Sequence, residues 1–357
     1  MKELNVKKLT FFAVFSAVVL LLAVVVYDGI KQDDALSFSG YAMGSRVTGT
    51  LYSDKDKSTA DEIISVIQKE EEDYISKYKE TSEIFRLNST GYMKLSEHTA
   101  DITEKALCIA ADSGGAFDIT VGNLSALWNF DNYTQSIPDE EAVRKALQTC
   151  DYSKVVHTDD SITLGDGQQI DLGAAGKGIA CDDALAVLEN SQVDSAIISV
   201  GGTVLTYGKN PDADFWTVGI RSPEKDDTSV FMKLKIEGTA FISTSGSYEK
   251  YFEKDGRIFH HILSTETGYP VENGLVSVTI VADSGLVADA LSTACFALGI
   301  EKSYSLLEKY NADAVFVSAD GKVYITRNYF DKYEVADGYE CYVYEEESEE
   351  YTFVATK

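Results

Sequence analysis

Apolar residues recur at strand or helix spacing along most of this chain, and the breaks between the two periods outline its elements. An apolar run from Phe11 to Tyr27 comes first, roughly 17 residues long and near the lower limit for a helix that crosses a bilayer. Tyr41 to Tyr52 then reads as a strand. Ser58 to Tyr78 reads as a long helix, with Ile63, Ile64, Ile67, Tyr74, Ile75 and Tyr78 at helical spacing. A second helix is expected over Thr99 to Ala111, stopping at Ser113, Gly114 and Gly115, and a third over Glu140 to Gln148. Ala116 to Trp128 is apolar but punctuated by Asp118 and Thr120, the look of a polar loop threading a core.

Further on, Ser161 to Ile170 alternates as a strand and leads into Asp171 to Leu188, where Ile179, Ala180, Ala184, Leu185 and Leu188 share one helical face. Ala196 to Tyr207 reads as one strand interrupted by Gly201 and Gly202, a pair that marks a bulge or a close approach by another group. Strands are also expected at Trp216–Arg221, Val230–Ile236, Ala240–Thr244 and Leu275–Val281, and a helix at Ala288–Gly299. Helices and strands interleave without a strict repeat, which predicts an α+β fold of mixed α/β layers rather than a barrel.

Charge and composition narrow the reading. A formal net charge of -27 argues against nucleic acid as a partner, because that polyanion is bound through lysine and arginine. Lys2, Lys7 and Lys8 before the apolar run favour a cytoplasmic N-terminus with the remainder exported. A cleaved signal peptide is the other reading. Val24, Val25, Val26 and Tyr27 are too bulky for a small-x-small cleavage site, so an uncleaved anchor is preferred. The five cysteines, Cys108, Cys150, Cys181, Cys295 and Cys341, are spaced as neither a metal knuckle nor a disulfide framework.

Three stretches carry candidate chemistry. Gly173, Ala174, Ala175, Gly176 and Gly178 make a small-residue bend beside Lys177, the only positive charge in that stretch. It is no phosphate-binding P-loop: Asp171 stands where that loop needs its first glycine, and Gly178 where it needs a hydroxyl. The bend either lets a ligand lie against the main chain or lets a helix pack closely on a strand. His260 and His261, two of the four histidines, open the segment His260 to Pro270; each is either a satisfied core residue or a proton acceptor. Asp289, Ser292 and Thr293 fall at i, i+3 and i+4 on one helix face, a set of hard oxygen donors suited to magnesium, unless Asp289 is a helix cap.

Together these residues resemble the ApbE family of flavin transferases, which move FMN from FAD onto a threonine of an acceptor protein. The resemblance rests on Ala42-Met43-Gly44, Ser76, Tyr78, Ser82, Asn88, Gly115 to Thr120, Asp171 to Gly178, Gly201-Gly202, Thr244 to Tyr248, His261 to Pro270 and Asp289 to Thr293. Asn123 departs from a frequent proline, and Ser264-Thr265 from a frequent Asp-Pro. The resemblance implies an ApbE-like domain over 38–328; the residues themselves suggest an anchor or signal segment over 1–30, a linker over 31–37 and an acidic extension over 329–357 that carries no family signature. It also implies FAD contacts at Met43, Tyr78, Ala116, Phe117, Asp118, Asp171, Lys177 and Ile262. Magnesium is implied at the Ala174 carbonyl, Asp289 and Thr293, and a catalytic role at His261.

The activity so implied is magnesium-dependent covalent flavinylation of an acceptor threonine with release of AMP. The acceptors would be membrane-associated electron-transfer proteins on the extracytoplasmic side of the cell membrane, where the anchor holds the enzyme. The alternatives are an FAD pyrophosphatase giving FMN and AMP, and a membrane-tethered protein that binds FAD without chemistry.

Overall fold

The central strands are apolar on both faces, and the fold covers both. The computed structural model describes residues 35–52, 57–130, 135–224, 227, 229–329, 332–336, 339–344 and 352–353. The apolar run Phe11 to Tyr27 lies outside the described residues, and among the described residues no helix is long and apolar enough to cross a membrane. Ten described strands form one sheet in the order Ala35–Ala42, Ser45–Tyr52, Ser195–Val200, Thr203–Tyr207, Ala240–Gly246, Leu275–Ala282, Asp313–Ser318, Lys322–Thr326, Glu340–Tyr344 and Thr352–Phe353. Neighbours are antiparallel except Lys322–Thr326 and Glu340–Tyr344, which run parallel.

Alternate residues of these strands serve two cores. Ile198, Leu205, Phe241, Val278 and Ile280 pack with the helices Gly176–Glu189 and Gly285–Leu298. Their neighbours Ile197, Ile242 and Val281 point the other way, into a core shared with a smaller sheet of Trp216–Arg221, Val230–Ile236 and Tyr333–Val335. The layers are therefore helix, large sheet, small sheet, the mixed α/β arrangement expected. A third cluster of Leu124, Trp128, Val143, Phe252 and Phe259 sits under the helices Gly122–Trp128 and Glu140–Leu147. Residues 35–37, expected in the linker, already belong to the large sheet, and strands beyond residue 328 extend both sheets.

Several expected elements are divided. Tyr41 to Tyr52 is the turn and second arm of a hairpin, reversed at Met43 and Gly44 with φ of 53° and 62°, the geometry of a tight two-residue hairpin turn. Ala196 to Tyr207 is likewise a hairpin, turning at Gly201-Gly202. Only Ser161–Thr163 of the strand expected over Ser161 to Ile170 forms, because the chain turns at Gly165 to Gln168, where the Gln168 side chain accepts from the Gly165 N–H at 2.7 Å. The long helix is α-helical over Lys57–Lys69 and π-helical over Glu70–Ile75, ending before Tyr78.

One contact sets how the two principal helices cross. A Cβ built on Gly178 would lie 2.0 Å from the Gly285 carbonyl oxygen, and one built on Gly285 would lie 2.1 Å from that of Gly178. The glycines thus let two helices approach, rather than a helix and a strand. Alanine inside an exposed helix normally stabilises by about 1 kcal/mol over glycine, but here it must push the helices apart. Gly178→Ala should therefore destabilise the fold by about 1–3 kcal/mol in thermal or denaturant unfolding. An unchanged or raised stability would contradict the close crossing.

Candidate active site

The crossing places Asp289 at the start of the Gly176–Glu189 helix. Asp289 is buried, and one carboxylate oxygen accepts from the Gly178 N–H at 3.0 Å while the other accepts from the Ser243 hydroxyl at 2.6 Å. Gly178 is the third residue of that helix, so its N–H is a first-turn donor without a partner in the helical ladder, which begins with the Ile179 N–H to the Ala175 carbonyl. Asp289 satisfies that donor from the neighbouring helix, and Ala174, which precedes the N-cap Ala175, has its carbonyl outside the ladder. Thr293, one turn along from Asp289, shares a hydrogen bond with Ser245 at 3.2 Å, and Ser292 another at 2.7 Å. Asp289 is not the cap of its own helix: Ser284 fills that place, its hydroxyl accepting from the Val287 N–H.

Lys177 projects into the same region. The nearby Asp289 carboxylate outweighs burial and, with Glu249, holds the ammonium above its ordinary value. A Cβ on Gly201 would come within 3.2 Å of the Lys177 side chain and 2.9 Å of the Ser45 hydroxyl. Bulk is therefore excluded where the Gly201-Gly202 turn and the hairpin carrying Met43 meet the lysine.

Asp171 is not left to repel anions. Lys77 donates to its carboxylate at 2.6 Å, Ser125 donates at 2.6 Å and the Gly173 N–H at 2.9 Å. Burial pushes the Asp171 carboxyl up, but the lysine and these hydrogen bonds outweigh it and hold it below the usual carboxylate range. Lys177 is thus not the only cation at the bend, as sequence position implies; the fold brings a second from 94 residues away. The main chain entering the bend is fixed by Asn88, whose side-chain amide bonds both the Ile170 carbonyl at 2.8 Å and its N–H at 2.6 Å.

The two histidines divide their roles. His260 is buried, accepts from the Ile262 N–H at 3.3 Å on Nδ1 and donates from Nε2 to the Val271 carbonyl at 3.0 Å, so its ring is fully engaged in the fold. His261 Nδ1 is buried without a partner. Burial first, then Lys250, Lys177 and His260, push its imidazole down to about 3, leaving it neutral. An unpaired buried nitrogen costs desolvation energy that a ligand would recover.

The remaining residues expected to contact FAD differ in exposure. The Tyr78 ring is exposed, with the Lys77 ammonium 5.1 Å from its centroid. Met43, partly buried, donates its N–H to Glu71 at 2.7 Å. Ala116 is partly exposed, whereas the Phe117, Asp118 and Ile262 side chains are buried. Asp118 accepts from Thr120 and from the Tyr152 N–H, which shapes its loop. The departures from the family pattern are accommodated: Asn123 donates to Thr149 and to the Gly167 carbonyl, and Thr265 donates to the Gly115 carbonyl at 2.7 Å, tying the two loops together. A cavity of about 530 Å³ beside Ser264, Tyr269 and Pro270 contains none of the Asp289 cluster.

Sequence reasoning assigned no role to Lys77, Ser125, Ser243, Ser245 or Glu249. Ser243 and Ser245 carried a readable signal, since they alternate with buried Phe241 on the strand face that meets the helices. Lys77 and Ser125 carried none.

The model of the ApbE family matches residues 43–316. A relative from Treponema pallidum, a FAD:protein FMN transferase, is 35% identical over 254 residues, spanning 66% of this chain and 70% of its own. Another of that name, from Klebsiella pneumoniae, is 32% identical over 304 residues, spanning 83% of this chain and 93% of its own. Among solved structures, the ApbE protein of Thermotoga maritima matches with a TM-score of 0.75 at 29% identity, over 82% of this chain and 97% of its own. The flavin transferase ApbE of Vibrio cholerae matches with a TM-score of 0.74 at 26% identity, over 84% of this chain and 99% of its own. With sequence, fold and family model in agreement over most of its length, the chain belongs to the ApbE family.

Proposed function

We propose that this protein transfers FMN from FAD to a threonine hydroxyl of an acceptor protein and releases AMP. The observation that carries this reading is the junction of Gly178 and Asp289 beside Lys177, within electrostatic reach of a neutral histidine whose buried nitrogen has no partner. Storage of FAD needs no such base. The Ala174 carbonyl, Asp289 and Thr293 form a hard oxygen set that fits magnesium. When bound there, magnesium supplies positive charge to the phosphate oxygens.

The residues of this chain perform the rest. Lys177 and the N-terminal end of its helix attract the diphosphate. His261 accepts the proton of the acceptor hydroxyl, whose oxygen bonds the flavin-side phosphorus. The bond from that phosphorus to the bridging oxygen breaks, and AMP leaves with its electron pair. The nucleophile comes from the partner, so no serine triad or reactive cysteine is required.

The membrane setting belongs to the same proposal. Lys2, Lys7 and Lys8 before the Phe11 to Tyr27 run support an anchor with the catalytic domain on the extracytoplasmic side, facing membrane-associated electron-transfer acceptors. Protease added to intact spheroplasts should digest the domain; protection until lysis would place it inside.

Mixing the full chain with FAD, magnesium and an acceptor should give a flavin-fluorescent band that survives denaturing electrophoresis. His261→Ala should lower the rate by about 100- to 10 000-fold while FAD binding persists, and Asp289→Ala should raise the magnesium needed or abolish turnover. AMP release without labelled acceptor would instead identify a pyrophosphatase.

The pH profile tests the base separately. A general base works when deprotonated, so lowering its pKa moves the acid limb of kcat/KM to lower pH. With His261 held down to about 3, that limb should be absent near the ordinary histidine value of 6.5. A limb centred there would assign the base to another group.

A further inference from the structure

A second cluster of metal-ligating side chains lies away from the Asp289 centre. Glu70 opens the π-helical turn Glu70–Ile75, His98 lies in the first turn of the helix Glu97–Asp112, and Asp183 belongs to the helix Gly176–Glu189. One ligand atom from each falls within 4.8 Å of the other two. We propose that Glu70, His98 and Asp183 bind a zinc-class divalent cation that braces these three helices.

Glu70 provides the independent reason to place a ligand there. Its side chain is 1% exposed, one oxygen meets His98 Nε2 at 2.6 Å, and the other is buried with no partner. A carboxylate oxygen left unpaired in a dry site is costly. Asp183 brings a second carboxylate oxygen within 4.8 Å of the other ligand atoms. A dication would neutralise both acids and satisfy the orphaned oxygen. One imidazole nitrogen with two carboxylates suits a borderline first-row ion better than magnesium. The His98 side chain, 38% exposed and set edge-on to Tyr74, leaves an opening for entry and for water as a fourth ligand. The π-helical segment that delivers Glu70 is an irregularity of the kind found at functional sites.

The position has a consequence for the active site. Asp182, next to Asp183, accepts the Gly285 and Leu286 N–H groups at 2.7 Å and 2.8 Å and so holds the helix that carries Asp289. A cation on Asp183 would stiffen the helix whose other end presents Lys177 and Gly178. The role is positioning, since the ligand group does not include Asp289.

The test uses untagged full-length protein in detergent micelles, stripped with a chelator, equilibrated with Zn²⁺ and passed through a desalting column. Bound zinc per chain and the thermal midpoint are then measured for wild type, His98→Gln, Asp183→Asn and Asp289→Asn. His98→Gln and Asp183→Asn should each lose one zinc per chain and the zinc-dependent rise in the midpoint. Asp289→Asn should retain both. Melting of the stripped variants shows that they fold, and His98, at the rim, is the milder change. Equal zinc in wild type and both cluster variants, or its loss in Asp289→Asn alone, overturns the proposal. The readout is metal content, so failure of the flavin-transfer reading would not affect it.

Discussion

The approach of Gly178 to Gly285 is the constraint on which the rest of this structure depends. Side chains at either position would separate the helices by more than an ångström, and Asp289 would lose the Gly178 N–H. The exchange is favourable because a hydrogen bond to a charged group contributes about 1.5–3 kcal/mol, against about 1 kcal/mol for glycine in a helix. The carboxylate thereby satisfies a first-turn donor that the helix itself leaves without a partner.

Polar side chains hold the loops around that crossing with a precision that apolar packing alone would not give. Asn88 grips both main-chain groups of Ile170, Asp118 collects three donors from its own loop and from Tyr152, and Ser82 donates to the Tyr74 carbonyl at 2.7 Å. Several residues by which the chain resembles its family are thus framework groups. They fix the backbone against which a substrate would lie: Ser82 and Asp118 are buried and Asn88 is partly buried, while Tyr78 nearby is exposed.

Elements that alternate against a solvated face, such as Trp216–Arg221, were legible because only one period fits them. The hairpins at Met43-Gly44 and Gly201-Gly202 were not, for a physical reason. A two-residue turn preserves the period of two, so a hairpin and one long strand have the same pattern of apolar positions. The helix before Tyr78 was overextended because a π turn shifts the register by only one residue per turn, and Tyr74 and Ile75 still look helical. In the candidate site, Asp289 and Thr293 could be paired by their spacing on one helix. The Lys77 to Asp171 pair depends on a tertiary contact that no local pattern records.

On the proposed reading, the electrostatics of the site also couple His261 to the diphosphate. Burial first, then Lys250 and Lys177, keep His261 neutral, and Lys177 is itself held above its ordinary value chiefly by Asp289. An imidazole depressed to about 3 is a weak proton acceptor for an alcohol, since a base works best with its pKa near the working pH. A diphosphate between Lys177 and the helix terminus would offset the positive charge facing the histidine and raise its basicity. The empty site would then hold a poor base and the loaded site a better one. Proton abstraction would be favoured only when the phosphorus to be attacked is in place, and Asp289 would act on both sides of that balance, through Lys177 and through the bend it anchors.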